Sequence, residues 1–128
     1  MMKNLPKLMA IMALTILLSC NKDDGNPTPI DVKTYFVGNW SGQQQINGIA
    51  FPYAFDLIIY NDNTLKNIDL AFGSQEFPGI YTYTNDSLKI NYNNGTRWKL
   101  KFSNNYNSCS GIVLGAQGAT GTVNMTKD

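Results

Sequence analysis

Two cysteines, nine acidic side chains and no histidine set the chemistry that this 128-residue chain can attempt. Cys109 sits in Ser108-Cys109-Ser110-Gly111 with no histidine to raise its thiolate fraction, so an inert thiol is expected rather than a nucleophile. Among the acids, Glu76 is the only glutamate, and Asp56 and Asp69 are the pair that a hairpin would bring face to face. Two like charges opposed on the wet face of a sheet either splay into water or bridge a cation; splaying is the expectation. Two cysteines without histidine cannot build a zinc site. Most routes to general acid–base, triad and zinc chemistry are closed; an enzyme using Asp56, Asp69 or Cys109 is the remote alternative, and no catalytic activity, metal or cofactor is expected.

Cys20, the other cysteine, ends an apolar run. Met1 to Lys7 carries two lysines, and Leu8 to Leu18 is apolar except for Thr15. That is the layout of a secretory signal, and the run is too short to cross a bilayer core of about 30 Å as a helix. Small Ser19 precedes Cys20, and Leu17 stands three residues before it. This resembles the bacterial lipobox, where signal peptidase II cuts before a cysteine already carrying diacylglycerol on its sulfur. The alternative is a plain signal peptide whose cysteine later pairs with Cys109; a thioether-linked sulfur cannot, so the lipobox reading leaves Cys109 alone. Two or three acyl chains, at about 0.8 kcal/mol per buried methylene, make such an anchor effectively permanent.

Asn21 to Pro29 is polar and proline-bearing without apolar periodicity, which reads as a tether. Asn21-Lys22-Asp23-Asp24 is similar to signals that route some Gram-negative lipoproteins to the outer face of the outer membrane, although solvated linker charge reads equally well. The expected organisation is a cleaved leader over 1–19, the lipidated cysteine and linker over 20–34, and one folded domain over 35–128. A chain this short supports a single core. Lys3 and Lys7 leave with the leader, so eight of the ten basic residues face nine acidic ones and the net charge falls from +1 to about −1. No nucleic-acid footprint is present, and a monomer is expected.

From Tyr35 onward, runs of aromatic and β-branched residues recur every 10 to 12 residues between Asn, Asp and Gly clusters, the spacing of an all-β sandwich or barrel. Eight strands are predicted, near 37–47, 51–60, 64–72, 79–84, 87–93, 96–103, 107–114 and 118–126, after a helical turn over Asp31 to Phe36 capped by Asp31. Parity then proposes registers. A two-residue turn at Asp62-Asn63 pairs Leu57 with Ile68 and Phe55 with Leu70, joining the face of Phe51, Tyr53, Phe55, Leu57 and Ile59 to that of Ile68, Leu70 and Phe72, and it sets Asp56 opposite Asp69. Asn93-Asn94-Gly95 differs. A two-residue Asn-Gly turn would oppose apolar and polar faces there, whereas a three-residue loop with Gly95 left-handed pairs Tyr92 with Thr96, Ile90 with Trp98 and Leu88 with Leu100. Trp98, Leu100 and Phe102 alternate with Arg97, Lys99 and Lys101, and Gly121, Val123 and Met125 alternate with four polar residues. Eight hairpin-linked strands with one apolar face each close into an antiparallel up-and-down barrel, which removes exposed edges.

Gly38-Asn39-Trp40, at the entrance to the first strand, resembles the Gly-x-Trp start of the lipocalin and wider calycin barrels, and residues 35–127 look like the small lipocalin-like lipoproteins of Gram-negative bacteria. The resemblance implies that Gly38 and Trp40 close one end of the barrel, with Lys127 of the last strand packing across the indole. It also implies a small hydrophobic ligand inside. Tyr53, Phe55, Leu57, Tyr92, Trp98, Leu100 and Phe102 are the inward candidates, and Tyr81 and Tyr83 are rim or lining at the open end. The same aromatics could instead fill a narrow barrel outright, leaving an interaction module or inhibitor in the cell envelope. Either way the expected location is the outer membrane, tied through Cys20, with the barrel outside the cell if Asn21 to Asp24 acts as an export signal.

Overall fold

Period-two alternation interrupted by turn-forming residues produces eight strands after one helical turn. The computed structural model describes residues 31–128; the leader, Cys20 and the linker up to residue 30 lie outside the described residues. The turn α1 (Lys33–Phe36) leads into β1 (Gly38–Ile46), β2 (Tyr53–Ile59), β3 (Thr64–Asp69) and β4 (Gln75–Tyr83). They are followed by β5 (Ser87–Tyr92), β6 (Arg97–Phe102), β7 (Ser108–Leu114) and β8 (Thr120–Lys127). Every strand pairs antiparallel with the next, and β8 returns to β1 to complete an all-β, up-and-down closed barrel. Closure satisfies both edges and leaves none of the described strands open to pairing with another chain.

The β5–β6 hairpin has the expected bulged loop. The Tyr92 N–H donates to Thr96 O at 2.9 Å, Gly95 sits at φ +88°, and Ile90 and Leu88 face Trp98 and Leu100. Clean alternation on both flanking strands leaves this register as the one that buries both apolar faces.

The β2–β3 hairpin departs from the expected register. Its loop has three residues, Asn61-Asp62-Asn63, closed by the Tyr60 N–H donating to Thr64 O at 2.9 Å, with Asn63 in the left-handed region at φ +68°. Asp62 stabilises the loop by accepting from the Thr64 N–H at 3.1 Å, and its bonds to Thr64 hold its carboxyl below the usual value. One extra loop residue moves every partner by one position. Leu57 therefore faces Asn67, Phe55 faces Asp69, and Asp56 faces Ile68, so the expected Asp56–Asp69 opposition does not occur. The inward face of β3 becomes Leu65, Asn67 and Asp69, and Leu70 and Phe72 turn outward. Phe51 lies before β2 and is 76% exposed rather than inward.

α1 covers one end of the barrel. The Asp31 carboxylate accepts from the Lys33 N–H at 3.1 Å and from the Tyr83 hydroxyl at 3.0 Å, starting the turn two residues before its first helical position. Phe36 drops from the turn into the barrel, stacked on Phe102 with centroids 5.2 Å apart and edge-on to Tyr83 at 5.1 Å. Below it, Trp40, Leu57, Ile59, Leu88, Ile90 and Val123 are essentially without solvent contact. This half of the interior is solid hydrocarbon, packed as protein cores are.

Candidate functional site

Towards the opposite end the interior changes character, because β3 and β1 turn polar side chains inward. The inward parity of β1 runs through Trp40 to Gln44 and Ile46, and that of β3 from Leu65 to Asn67 and Asp69. Asn67 is 5% exposed and Asp69 8% exposed, the two buried polar residues of the described chain. Burying either group costs free energy unless it finds partners. Asn67 Nδ2 donates to the Tyr92 hydroxyl at 3.2 Å, and Asp69 Oδ1 accepts from the Ala71 N–H at 2.9 Å. Neither ion pair among the described residues involves Asp69.

Around these groups lies a cavity of about 260 Å³, walled by Phe77, Tyr92 and Trp98 on β4 to β6 and by Val113 and Ala119 near the β7–β8 turn. Trp98 is 2% exposed and stands edge-on to both Phe55, at 5.1 Å between centroids, and Tyr92, at 5.2 Å. Its indole N–H is buried without a hydrogen-bond partner, the one such side-chain atom among the described residues. Burial pushes the Tyr92 hydroxyl upward in pKa, so it stays neutral and serves as a hydrogen-bonding group.

Of the aromatic and aliphatic residues proposed from sequence to hold a ligand, Tyr92 and Trp98 line this cavity. Phe55, Leu57, Leu100 and Phe102 are buried within the packed core. Tyr53 is half-buried at the start of β2, tilted against Phe72 at 5.3 Å. Tyr83 and Tyr81 stand at the helix-covered end against Phe36, with Lys33 Nζ 5.8 and 5.9 Å from their ring centroids, away from the cavity. Asn67 and Phe77 were not among the sequence candidates and Asp69 was expected on the outer face, because the expected two-residue turn put β3 in the other register and Phe77 lies before the expected start of the fourth strand; four polar residues among the six of β3 left its inward face without a clear apolar signal.

No protein-family model and no curated protein sequence matches this chain. Among solved structures, a redesigned β-barrel aligns with a TM-score of 0.58 at 11% identity, over 80% of this chain and 99% of that one. A de novo designed fluorescence-activating β-barrel aligns with a TM-score of 0.49 at 12% identity, over 78% of this chain and all of its own. The zebrafish ileal bile acid-binding protein complexed with cholic acid aligns with a TM-score of 0.40 at 15% identity, over 73% of this chain and 98% of its own. At these identities the likeness is one of fold, the eight-stranded barrel, and it leaves the ligand to be argued from the cavity.

At the Trp40 end, Trp40 Nε1 donates to Phe36 O at 2.8 Å, and Lys127, opposite Trp40 in the β1–β8 ladder, donates from Nζ to Tyr35 O at 2.6 Å. Gly38 enters β1 at φ +134°, a conformation that side chains with a Cβ rarely adopt, with Lys127 Cε 3.5 Å from where that Cβ would stand. A wider groove of about 600 Å³ runs over β1, β8, β7 and β6, but its lining is chiefly outward-facing Ser, Gln, Asn and Thr. Cys109 is buried, and burial raises its thiol to about 12, so the thiolate is scarce at neutral pH.

Proposed function

We propose that this chain is a lipoprotein, anchored through Cys20 to the outer membrane of a Gram-negative bacterium, whose barrel takes up a small and mainly apolar ligand at the end opposite α1. The observation that carries the ligand reading is the cavity of about 260 Å³ in which three aromatic walls surround the buried Asn67 and Asp69. Burying an amide and a carboxylate costs a filled barrel desolvation that an apolar set, with Tyr92 also replaced, would not incur. The volume lies just under the roughly 300 Å³ at which pockets for drug-sized ligands begin, so the ligand is small. Native mass spectrometry of the protein purified from its own host tests the reading: a stoichiometric small-molecule adduct supports it, and a bare polypeptide mass counts against it. For the anchor, the apolar run ending at Ser19-Cys20 is the support. Replacing Cys20 with Ala should move the protein from the membrane to the soluble fraction, and retention in the membrane would end the lipobox reading.

A second reading has its own support. Phe51 and Phe72 are 76% and 60% exposed on the β1–β2 and β3–β4 connections, and the α1 half of the barrel is packed solid. Exposed aromatics at loop tips suit a protein contact, so the barrel would act as an interaction module or inhibitor in the envelope. Cross-linking that traps one envelope protein at Phe51 or Phe72, together with an empty cavity, would favour it.

A further inference from the structure

Resting on the ligand-binding reading, we infer that the cavity selects a small organic cation of the ammonium type, held by the Asp69 carboxylate within the walls of Phe77, Tyr92 and Trp98. A carboxylate taken out of water without a counter-charge is among the costlier things a fold can bury. Asp69 has no basic partner among the described residues, and no lysine or arginine lines the cavity. Its one hydrogen bond, from the Ala71 N–H, uses Oδ1 alone. That bond shapes the turn after β3, a task an asparagine would perform as well; a purely structural Asp69 therefore leaves its charge unexplained.

The walls suit the same ligand. Aromatic faces attract a cation within about 6 Å of the ring centroid, most strongly for indole and when water is excluded. Three aromatic rings and one carboxylate line one cavity here. Asn67 leans the same way, because it spends its Nδ2 donor on Tyr92 and keeps its carbonyl oxygen for a donor, whereas the unpartnered Trp98 N–H calls for an acceptor elsewhere on the ligand. An ammonium group brings donors and charge together. An anion would be set against the Asp69 carboxyl group, and a neutral ligand would bring it no counter-charge.

The experiment compares three probes of nearly one shape, 2-phenylethylammonium, 2-phenylethanol and 3-phenylpropanoate, by NMR titration of the Trp98 indole N–H, assigned with Trp98→Phe. The cation should shift that resonance and bind at least tenfold more tightly than the alcohol, with the carboxylate weakest. Asp69→Asn, which keeps the turn, should reduce the cation to the affinity of the alcohol and leave the alcohol unchanged. If that variant does not fold, Phe77→Leu takes its place and should weaken the cation several-fold more than the alcohol. Equal or tighter binding of the alcohol or the carboxylate overturns the cation inference and leaves the ligand-binding reading standing. Cation binding that survives Asp69→Asn, or that survives Phe77→Leu where the asparagine variant does not fold, also overturns it. Failure of all three probes to move the Trp98 resonance overturns the inference and weighs against the cavity as a ligand site.

Discussion

Trp40 and Lys127 face each other across the seam where the last strand meets the first, and each takes one of the two final carbonyls of α1, Phe36 O by the indole N–H and Tyr35 O by the ammonium. A helical turn ends with carbonyls that have no partner inside it. Here both strands that close the barrel supply the donors, so covering the end and sealing the seam are one structure.

Because both bonds fasten the same turn, removing them should be less than additive. Trp40→Phe leaves Phe36 O unpaired in a buried site and opens a small void, at an expected cost of about 2–4 kcal/mol. Lys127→Met keeps the hydrocarbon stem and loses the exposed bond, at about 1 kcal/mol. Urea unfolding of the singles and the double should show a coupling of at least about 0.5 kcal/mol; simple addition would mean that the two donors hold α1 independently.

The Asn67–Tyr92 bond joins β3 to β5 across the floor of the cavity. Asn67→Leu strands a buried hydroxyl and should cost about 1–3 kcal/mol. Adding Tyr92→Phe to it should recover part of that loss, since the stranded group is then gone. A double mutant less stable than Asn67→Leu would show that the hydroxyl has another partner.

Asn63 decides which face of β3 turns inward. At φ +68° it should accept Gly with little change in stability, whereas Asn63→Val should cost about 1–2 kcal/mol from left-handed strain. Thermal unfolding checks the pair; equal melting temperatures for the Gly and Val variants would mean that the loop relaxes into a different turn.

Cys109 gives the alkaline limb of stability its shape. Its thiol rises from 9.0 to about 12 on folding, so between those values the unfolded chain has released a proton that the folded chain retains. Stability contributed in this way is complete below pH 9 and is lost as pH rises towards 12, with a slope of about 1.4 kcal/mol per pH unit. The raised Tyr81 and Tyr92 hydroxyls act in the same direction at higher pH. Cys109→Ala should flatten the fall between pH 9 and 10.5 in denaturant titrations. An unchanged slope would mean that the thiol is already solvated in the folded state.

The strand count, the all-β class and the inward residues of β5, β6 and β8 could be read directly, because alternation is a local property and each of these strands has all its apolar residues on one parity. Leu88, Ile90, Trp98, Leu100 and Val123 admit no other face. β3 is different. Leu65 lies on one parity and Ile68 on the other, with Leu70 and Phe72 continuing the second, so counting apolar residues points the strand the wrong way. The choice between faces depends on one loop residue in the left-handed region and on partners far along the chain, the Tyr92 hydroxyl on β5 and the aromatic walls from β4 and β6. A pattern of period two carries no information about either. The packed half of the barrel was therefore legible in local alternation, while the polar cavity, with Asn67 and Asp69 inside it, exists because long-range register outweighed the local apolar count.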